Sequence, residues 1–180
     1  MRSEFKNDAL NEFASRVLRV NHAGGNGAVH IYSGQIFMAR FTAPSMVAEL
    51  IEFKSHEERH RAIFWNEMTV RKQRRCKSYW LCGAGGFVLG VVSGAFGRRA
   101  IAATTVAVER VVLRHMEEQL VLLAGKDEAA FHAVASIVIE ERQHHDRSVC
   151  HIAQAGFWSR ILSPVVAAAT EAVIWIGMRV

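Results

Sequence analysis

Apolar residues recur at helical spacing through most of the chain, and the pattern resolves into six segments. It predicts helices at about residues 8–40, 44–73, 79–96, 99–124, 127–155 and 164–178. Pro44 is a good first-turn residue for the second, and Asp127 is a good cap for the fifth. Gly125 and Gly156 stand where the fourth and fifth should stop, and Ser163-Pro164 is expected to open the sixth. With few Asn-Gly or Asp-Gly turns, the chain reads as long helices rather than a β-fold. One stretch breaks its own pattern. "RVNHAGGNGAVHIYSGQ", residues 19–35, has helical periodicity but carries Gly24, Gly25 and Gly27 at its centre, where each Gly costs about 1 kcal/mol relative to Ala.

The two segments at 79–96 and 164–178 are apolar almost all round. Residues 80–97 form 18 positions without a charge, at the lower limit for crossing a bilayer. Their several glycines lower the hydrophobicity, so burial in the bundle or an in-plane position is expected instead. Just before them, "RKQRRCK" places Arg71, Lys72, Arg74, Arg75 and Lys77 together. A basic cluster beside an apolar segment suits anionic lipid headgroups. No aromatics interleave the run and no recognised module surrounds it, so nucleic acid is not an expected partner.

At 180 residues, 51% of them hydrophobic, the chain has enough material for one well-buried domain. A net charge of +5 permits anionic partners without naming them. Cys76, Cys82 and Cys150 form no Cys-x-x-Cys and leave an odd count, which favours a reducing compartment. "MRSEFKNDALNEF" has acidic residues and no apolar core, unlike a signal or transit peptide.

The chemistry lies in two Glu-x-x-His pairs, Glu57/His60 and Glu141/His144. Residues i and i+3 share a helix face, so each pair can grip one metal. One such pair is what 14 Glu and 9 His give by chance. The offset is more informative, since the pairs are 84 residues apart. The same step back from Glu109, in "TTVAVERVVL", lands on Gly25. The register continues, with Ala23 matching Ala107 and Gln35 matching Gln119. The chain therefore reads as two helix-hairpin repeats, residues 8–73 and 99–155. A four-helix bundle with one Glu from each of two helices and Glu-x-x-His from the other two builds a dinuclear carboxylate site. Oxygen-rich ligands with two histidines suit iron or manganese. Position 25 is where a sixth ligand belongs.

The motifs "RVNHAGGNGAVHIYSGQ", "EERH", "TTVAVE" and "EERQHHD", in this order over about residues 16–180, together resemble the demethoxyubiquinone hydroxylase family. These are ferritin-like di-iron monooxygenases of ubiquinone biosynthesis. The resemblance implies an all-α, ferritin-like four-helix bundle with two additional apolar helices. It implies two Fe ions, NADH as electron donor, and hydroxylation of a demethoxyubiquinol ring with O2. It also implies a polyprenyl quinone substrate, a lipid-binding accessory protein as partner, and self-association into a homo-oligomer. The location it implies is peripheral, on the cytoplasmic face of a bacterial inner membrane or the matrix face of the mitochondrial one.

By the same resemblance Glu57 and Glu141 bridge the metals, His60 and His144 each bind one, and Glu109 is a terminal ligand. The family pattern His-Ala-Gly-Glu stands here as His22-Ala23-Gly24-Gly25, so one ligand glutamate is replaced by Gly25. His22, on roughly the same face, is expected beside the ligands, as is His115. Tyr32, two turns from Gly25, is expected to face the site, and Asp146 to orient a ligand imidazole. Two other readings stay open on the sequence. One is a degenerate homologue that binds quinone or assists assembly, and the other is a ferritin-like oxidase or metal store.

Overall fold

A computed structural model describes residues 2–152 and 157–179. Helix α1 spans Arg2–Thr42, and a 3-10 turn at Pro44–Met46 leads into α2, Val47–Val70. Then come α3 (Tyr79–Ala95), α4 (Arg98–Leu123), α5 (Glu128–Cys150) and α6 (Phe157–Gly177), with no strand among the described residues. The hairpins α1/α2 and α4/α5 form a four-helix bundle, α3 lies along α1, and α6 lies along α4. The described residues are thus all-α, with six α-helices in the order the hydrophobic pattern predicts.

Two apolar layers fill the bundle. One gathers Val17, Leu18, Phe64, Met68, Met116, Leu123 and Ile137. The other holds Tyr32, Ile36, Leu50, Phe53 and Ile101. On α1, α2 and α4 the motif positions fall between a residue of one layer and a residue of the other: Gly25 between Leu18 and Tyr32, Glu57 and His60 between Phe53 and Phe64, Glu109 between Ile101 and Met116. The polar stratum is therefore sealed by hydrocarbon above and below.

The glycine-rich stretch does not interrupt α1, which runs unbroken through positions 24–27. A Cβ on Gly27 would make only ordinary contacts with Cys82, whereas one on Gly34 would stand 2.5 Å from the Phe87 carbonyl of α3. A Cβ on Gly86 of α3 would collide with the Gly27 carbonyl, and one on Gly90 with the Ile31 carbonyl. Glycine at both lets the backbones of α1 and α3 touch, which fixes α3 against the bundle. At the exposed Gly85, by contrast, a Cβ would meet nothing within 4 Å.

The element ends follow local chemistry. Asp127 caps α5, accepting from the Ala130 backbone N–H at 3.0 Å. It also takes both Arg71 nitrogens, at 2.6 and 2.7 Å, and so ties the segment after α2 to the start of α5. Gly125 ends α4 with φ +66°, a conformation glycine adopts without strain. Helix α5 stops at Cys150, short of the expected 155, and positions 153–156, including Gly156, lie outside the described residues. The sixth helix departs most from expectation. It begins at Phe157, so Pro164 sits inside it rather than at its head. The ring strands the carbonyl of Arg160, an exposed residue where solvent can satisfy it. Residues 160–177 have mean hydropathy 1.4 with only 11% of them buried, so by length and composition α6, and not the shorter α3, could cross a membrane.

Replacing Gly90 by Ala should lower stability by about 1–3 kcal/mol through backbone displacement. Gly85→Ala should be neutral or stabilising by up to about 1 kcal/mol. Equal denaturation midpoints for the two variants would contradict the close α1–α3 contact. Asp127→Ala should cost about 1–2 kcal/mol through the lost cap. Arg71, foremost, holds the Asp127 carboxyl below its ordinary range. With the folded pKa below the unfolded one, this stability is complete above about pH 4 and fades as pH falls through the folded value. Urea midpoints of the wild type and Asp127→Ala should therefore converge in acid.

Candidate metal centre

Glu57, Glu109, Glu141 and His144 each bring a ligating atom within 4.8 Å of one another, and all four are buried. They come from three helices, Glu57 from α2, Glu109 from α4, and Glu141 with His144 from α5. His60 joins them from α2, its Nδ1 3.0 Å from Glu141 Oε1 and 3.7 Å from Glu57 Oε2. His144 Nδ1 lies 3.5 Å from Glu57 Oε1 and 3.8 Å from Glu141 Oε2. All five residues expected as ligands thus meet in one place. Gly25 lines the same cavity as Glu57, His60, Glu109 and Glu141. A Cβ there would stand 3.4 Å from Arg61 Cβ, an ordinary if close contact.

Whether these groups suit a metal can be judged from their hydrogen bonds. Buried polar atoms are nearly always paired. Here Glu57 Oε1, His60 Nδ1, Glu141 Oε2 and His144 Nδ1 are buried without a hydrogen-bond partner, the short approaches being misaligned for N–H donation. Four orphaned ligating atoms converging among three carboxylates match the demands of a divalent cation. Oxygen with imidazole and no thiolate favours iron or manganese.

The charges are balanced unevenly. Burial pushes the Glu109 carboxyl well above its usual range, and the charges of Glu141 and Glu57 push it further. Burial acts the same way on Glu57, but the His144 and His60 imidazoles outweigh it and hold the carboxyl at about 2. His60 is disfavoured as a cation by burial, yet Glu141 and Glu57 raise it to about 10. Tyr32 donates from its hydroxyl to Glu109 Oε1 at 2.9 Å. Its phenol is raised well above 10 by burial and then by the neighbouring carboxylates, so it stays a donor.

The remaining expected residues scatter. His115 lines the cavity but turns Nε2 to Glu171 of α6 at 2.8 Å. His22 is buried away from the ligands, stacked on Tyr79 at 4.9 Å and Trp65 at 5.2 Å. Three residues of helix leave it about 60° from the direction of Gly25. Burial, and then the charges of Arg75 and Arg61, lower it to about 4, which keeps the ring neutral. Asp146 is exposed and pairs with His145 Nδ1 at 3.0 Å rather than with a ligand imidazole. Two residues past His144, it points to nearly the opposite side of α5.

The groups that do touch the His60 and His144 imidazoles from behind are Glu140 and His56, which the sequence reading missed. Nε2 of His60 donates to Glu140 Oε2 at 2.9 Å. His144 Nε2 lies 3.0 Å from His56 Nδ1. The available signal was adjacency, because His56 stands directly before Glu57 and Glu140 directly before Glu141.

The cavity above the ligands measures about 490 Å³. Its walls are apolar and come mainly from α1, α3, α4 and α6. Leu81 of α3 and Val165 of α6 line it and are 67% and 64% exposed, so it reaches the surface between those two helices.

Comparison with known proteins agrees with this architecture. A protein from Dictyostelium discoideum named NADPH-dependent 3-demethoxyubiquinone 3-hydroxylase, mitochondrial, is 31% identical, covering 99% of this chain and 83% of its own. A Rhodospirillum rubrum protein named 3-demethoxyubiquinol 3-hydroxylase is also 31% identical, over 92% of this chain and 77% of its own. The mouse protein with the same name as that of Dictyostelium is 28% identical over 96% of this chain and 81% of its own. The family described as Ubiquinone biosynthesis protein COQ7 matches residues 12–177, and the chain belongs to that family.

Proposed function

We propose that this chain hydroxylates the ring of a demethoxyubiquinol, with iron held by Glu57, His60, Glu109, Glu141 and His144. The observation that carries the reading is the placement of these ligands at the inner end of an apolar cavity that reaches the surface between α3 and α6. Such a cavity suits a flat ring with a long hydrocarbon tail. Iron bound there supplies the activation of O2, with electrons from a reduced nicotinamide. The resemblance gave NADH as donor, while the relatives from Dictyostelium and mouse are named as NADPH-dependent.

The chain's own residues do the rest. The two apolar layers keep water from the carboxylates. Tyr32 fixes the orientation of Glu109, and the smooth walls of α1 and α4 hold the ring over the ligands. Glu57, Glu109, Glu141 and His144 form a complete half-site, whereas the His60 half lacks a carboxylate at position 25. One metal is therefore bound tightly and a second more weakly.

The cavity mouth is flanked by exposed Trp80, Leu81 and Val88 on α3 and by exposed Val165, Trp175 and Ile176 on α6. Lys72, Arg74 and Lys77 are exposed at the head of α3. Arg71 is held by Asp127, and Arg75 is stacked on Trp65 at 4.7 Å and Tyr79 at 5.0 Å. This face rests on an anionic bilayer. Glu171 within α6 is tied to Arg114 and His115 of α4, which suits a helix lying on the membrane better than one crossing it.

Metal analysis and a quinol turnover assay on the same anaerobic preparation test the reading. Glu141→Ala should abolish both tight metal binding and turnover, while Glu118→Ala, at an exposed position, should leave both intact. Unchanged metal content in Glu141→Ala would refute the assignment. Gly25→Glu should raise iron towards two per chain and increase turnover. Helix propensity favours the change by up to about 1 kcal/mol, but a fourth buried carboxylate opposes it until metal arrives. The melting temperature should therefore rise clearly with iron and little without it. A fall in both melting temperature and activity of the iron-loaded variant would show instead that position 25 must be glycine.

A further inference from the structure

Positions 56 and 140 are equivalents in the 84-residue repeat, each one residue before the glutamate of a Glu-x-x-His pair. Each reaches across to the other hairpin. Glu140 of α5 accepts from His60 of α2 at 2.9 Å, and His56 of α2 meets His144 of α5 at 3.0 Å. The repeats thus hold one another's ligand imidazoles crosswise, from outside the cavity, with unlike groups. With a metal on His144 Nδ1, Nε2 would carry the proton and His56 Nδ1 would accept it, so His144 is backed by a ring rather than by a carboxylate. The same His56 Nδ1 stands 3.8 Å from Glu140 Oε2. His60 is backed by a carboxylate, whose two oxygens each accept from Arg59 Nη2 at 3.1 Å.

The asymmetry coincides with the one at the ligands. Glu109 groups with His144, so by the repeat position 25 belongs with His60, and there it is glycine. The carboxylate behind the imidazole falls on the half that lacks a carboxylate in front. A histidine that donates to a carboxylate is a better metal ligand, and removing such a partner costs about 10- to 100-fold in affinity. We propose that Glu140 is the positioning residue of His60, and that its charge, acting through the imidazole, partly replaces the one missing at position 25 so that the His60 half still takes a metal. This rests on the metal-centre reading above.

Titration of the anaerobic full-length protein with Co(II), followed by visible absorption, separates the two half-sites without reference to turnover. The wild type should take one Co(II) tightly and a second more weakly. Glu140→Gln keeps the size of the side chain and an oxygen acceptor but removes the charge. It should weaken the second equivalent about 10- to 100-fold and the first far less, since Glu140 contacts His60 directly and His144 only through His56. Glu140→Asp should restore much of the loss. His56→Gln should weaken the first equivalent instead. Adding Gly25→Glu to Glu140→Gln should recover the second equivalent, an effect that a merely structural role for Glu140 would not give. Wild-type behaviour of Glu140→Gln, or equal weakening of both equivalents, would overturn this inference alone. A wild type that binds no Co(II) would overturn the metal-centre reading together with it.

Discussion

Three carboxylates buried within one layer of a helical bundle repel one another and have left water behind. Everything else in the structure is arranged around that constraint. Glu109 is pushed towards its neutral form and receives the Tyr32 hydroxyl. Glu57 keeps its charge because two imidazoles face it. The hydrocarbon layers on either side make the repulsion severe, and they make any cation placed among the acids correspondingly well held. Instability and affinity have the same origin here, and a bundle built from an apolar core alone would have neither.

The second requirement is access. A four-helix bundle that closed completely over its polar layer could bind metal but nothing larger. The added helices keep one side open. Helix α3 is drawn against α1 by glycines whose absent side chains let carbonyls and helix backbone meet. Helix α6 is placed along α4 and tied to it by Glu171, the one acid in its described length. Between them lies the cavity, floored by Glu57, His60, Glu109 and Glu141. The glycines of α1 therefore serve two ends. Gly34 receives α3, whereas Gly25 lines the cavity at a position where the repeat and the family pattern both place a ligand.

Much of this was legible in the sequence because it is periodic. Helices announce themselves by spacing, and the 84-residue offset placed Glu57, His60, Glu109, Glu141, His144 and Gly25 in register before any coordinates. What was not legible depended on direction rather than spacing. His22 shares a rough face with Gly25 yet turns into an aromatic stack, and Asp146 follows His144 closely yet points to solvent. Glu140 and His56 were missed because their partners belong to the opposite hairpin, and contacts across a bundle leave no mark along the chain. The start of α6 was misplaced because Pro164 is a good helix opener by local rule, while an exposed carbonyl behind it can accept water. Arg71 reads as one charge of a basic run, and only the fold reveals Asp127 beside it.

The cavity mouth between two greasy, outward-facing helices also bears on how a substrate would be found. A quinol with a long tail is confined to the bilayer, and a protein whose opening faces the lipid can be approached from within it. For a chain seated on the bilayer as proposed, the search would take place in two dimensions, at the high local concentration that a thin film imposes. Passage from membrane to carboxylates needs no exposure of the tail to water. Catalysis would accordingly be governed by how densely the surface is populated with quinol and with protein. The amount of either per volume of solution would matter far less.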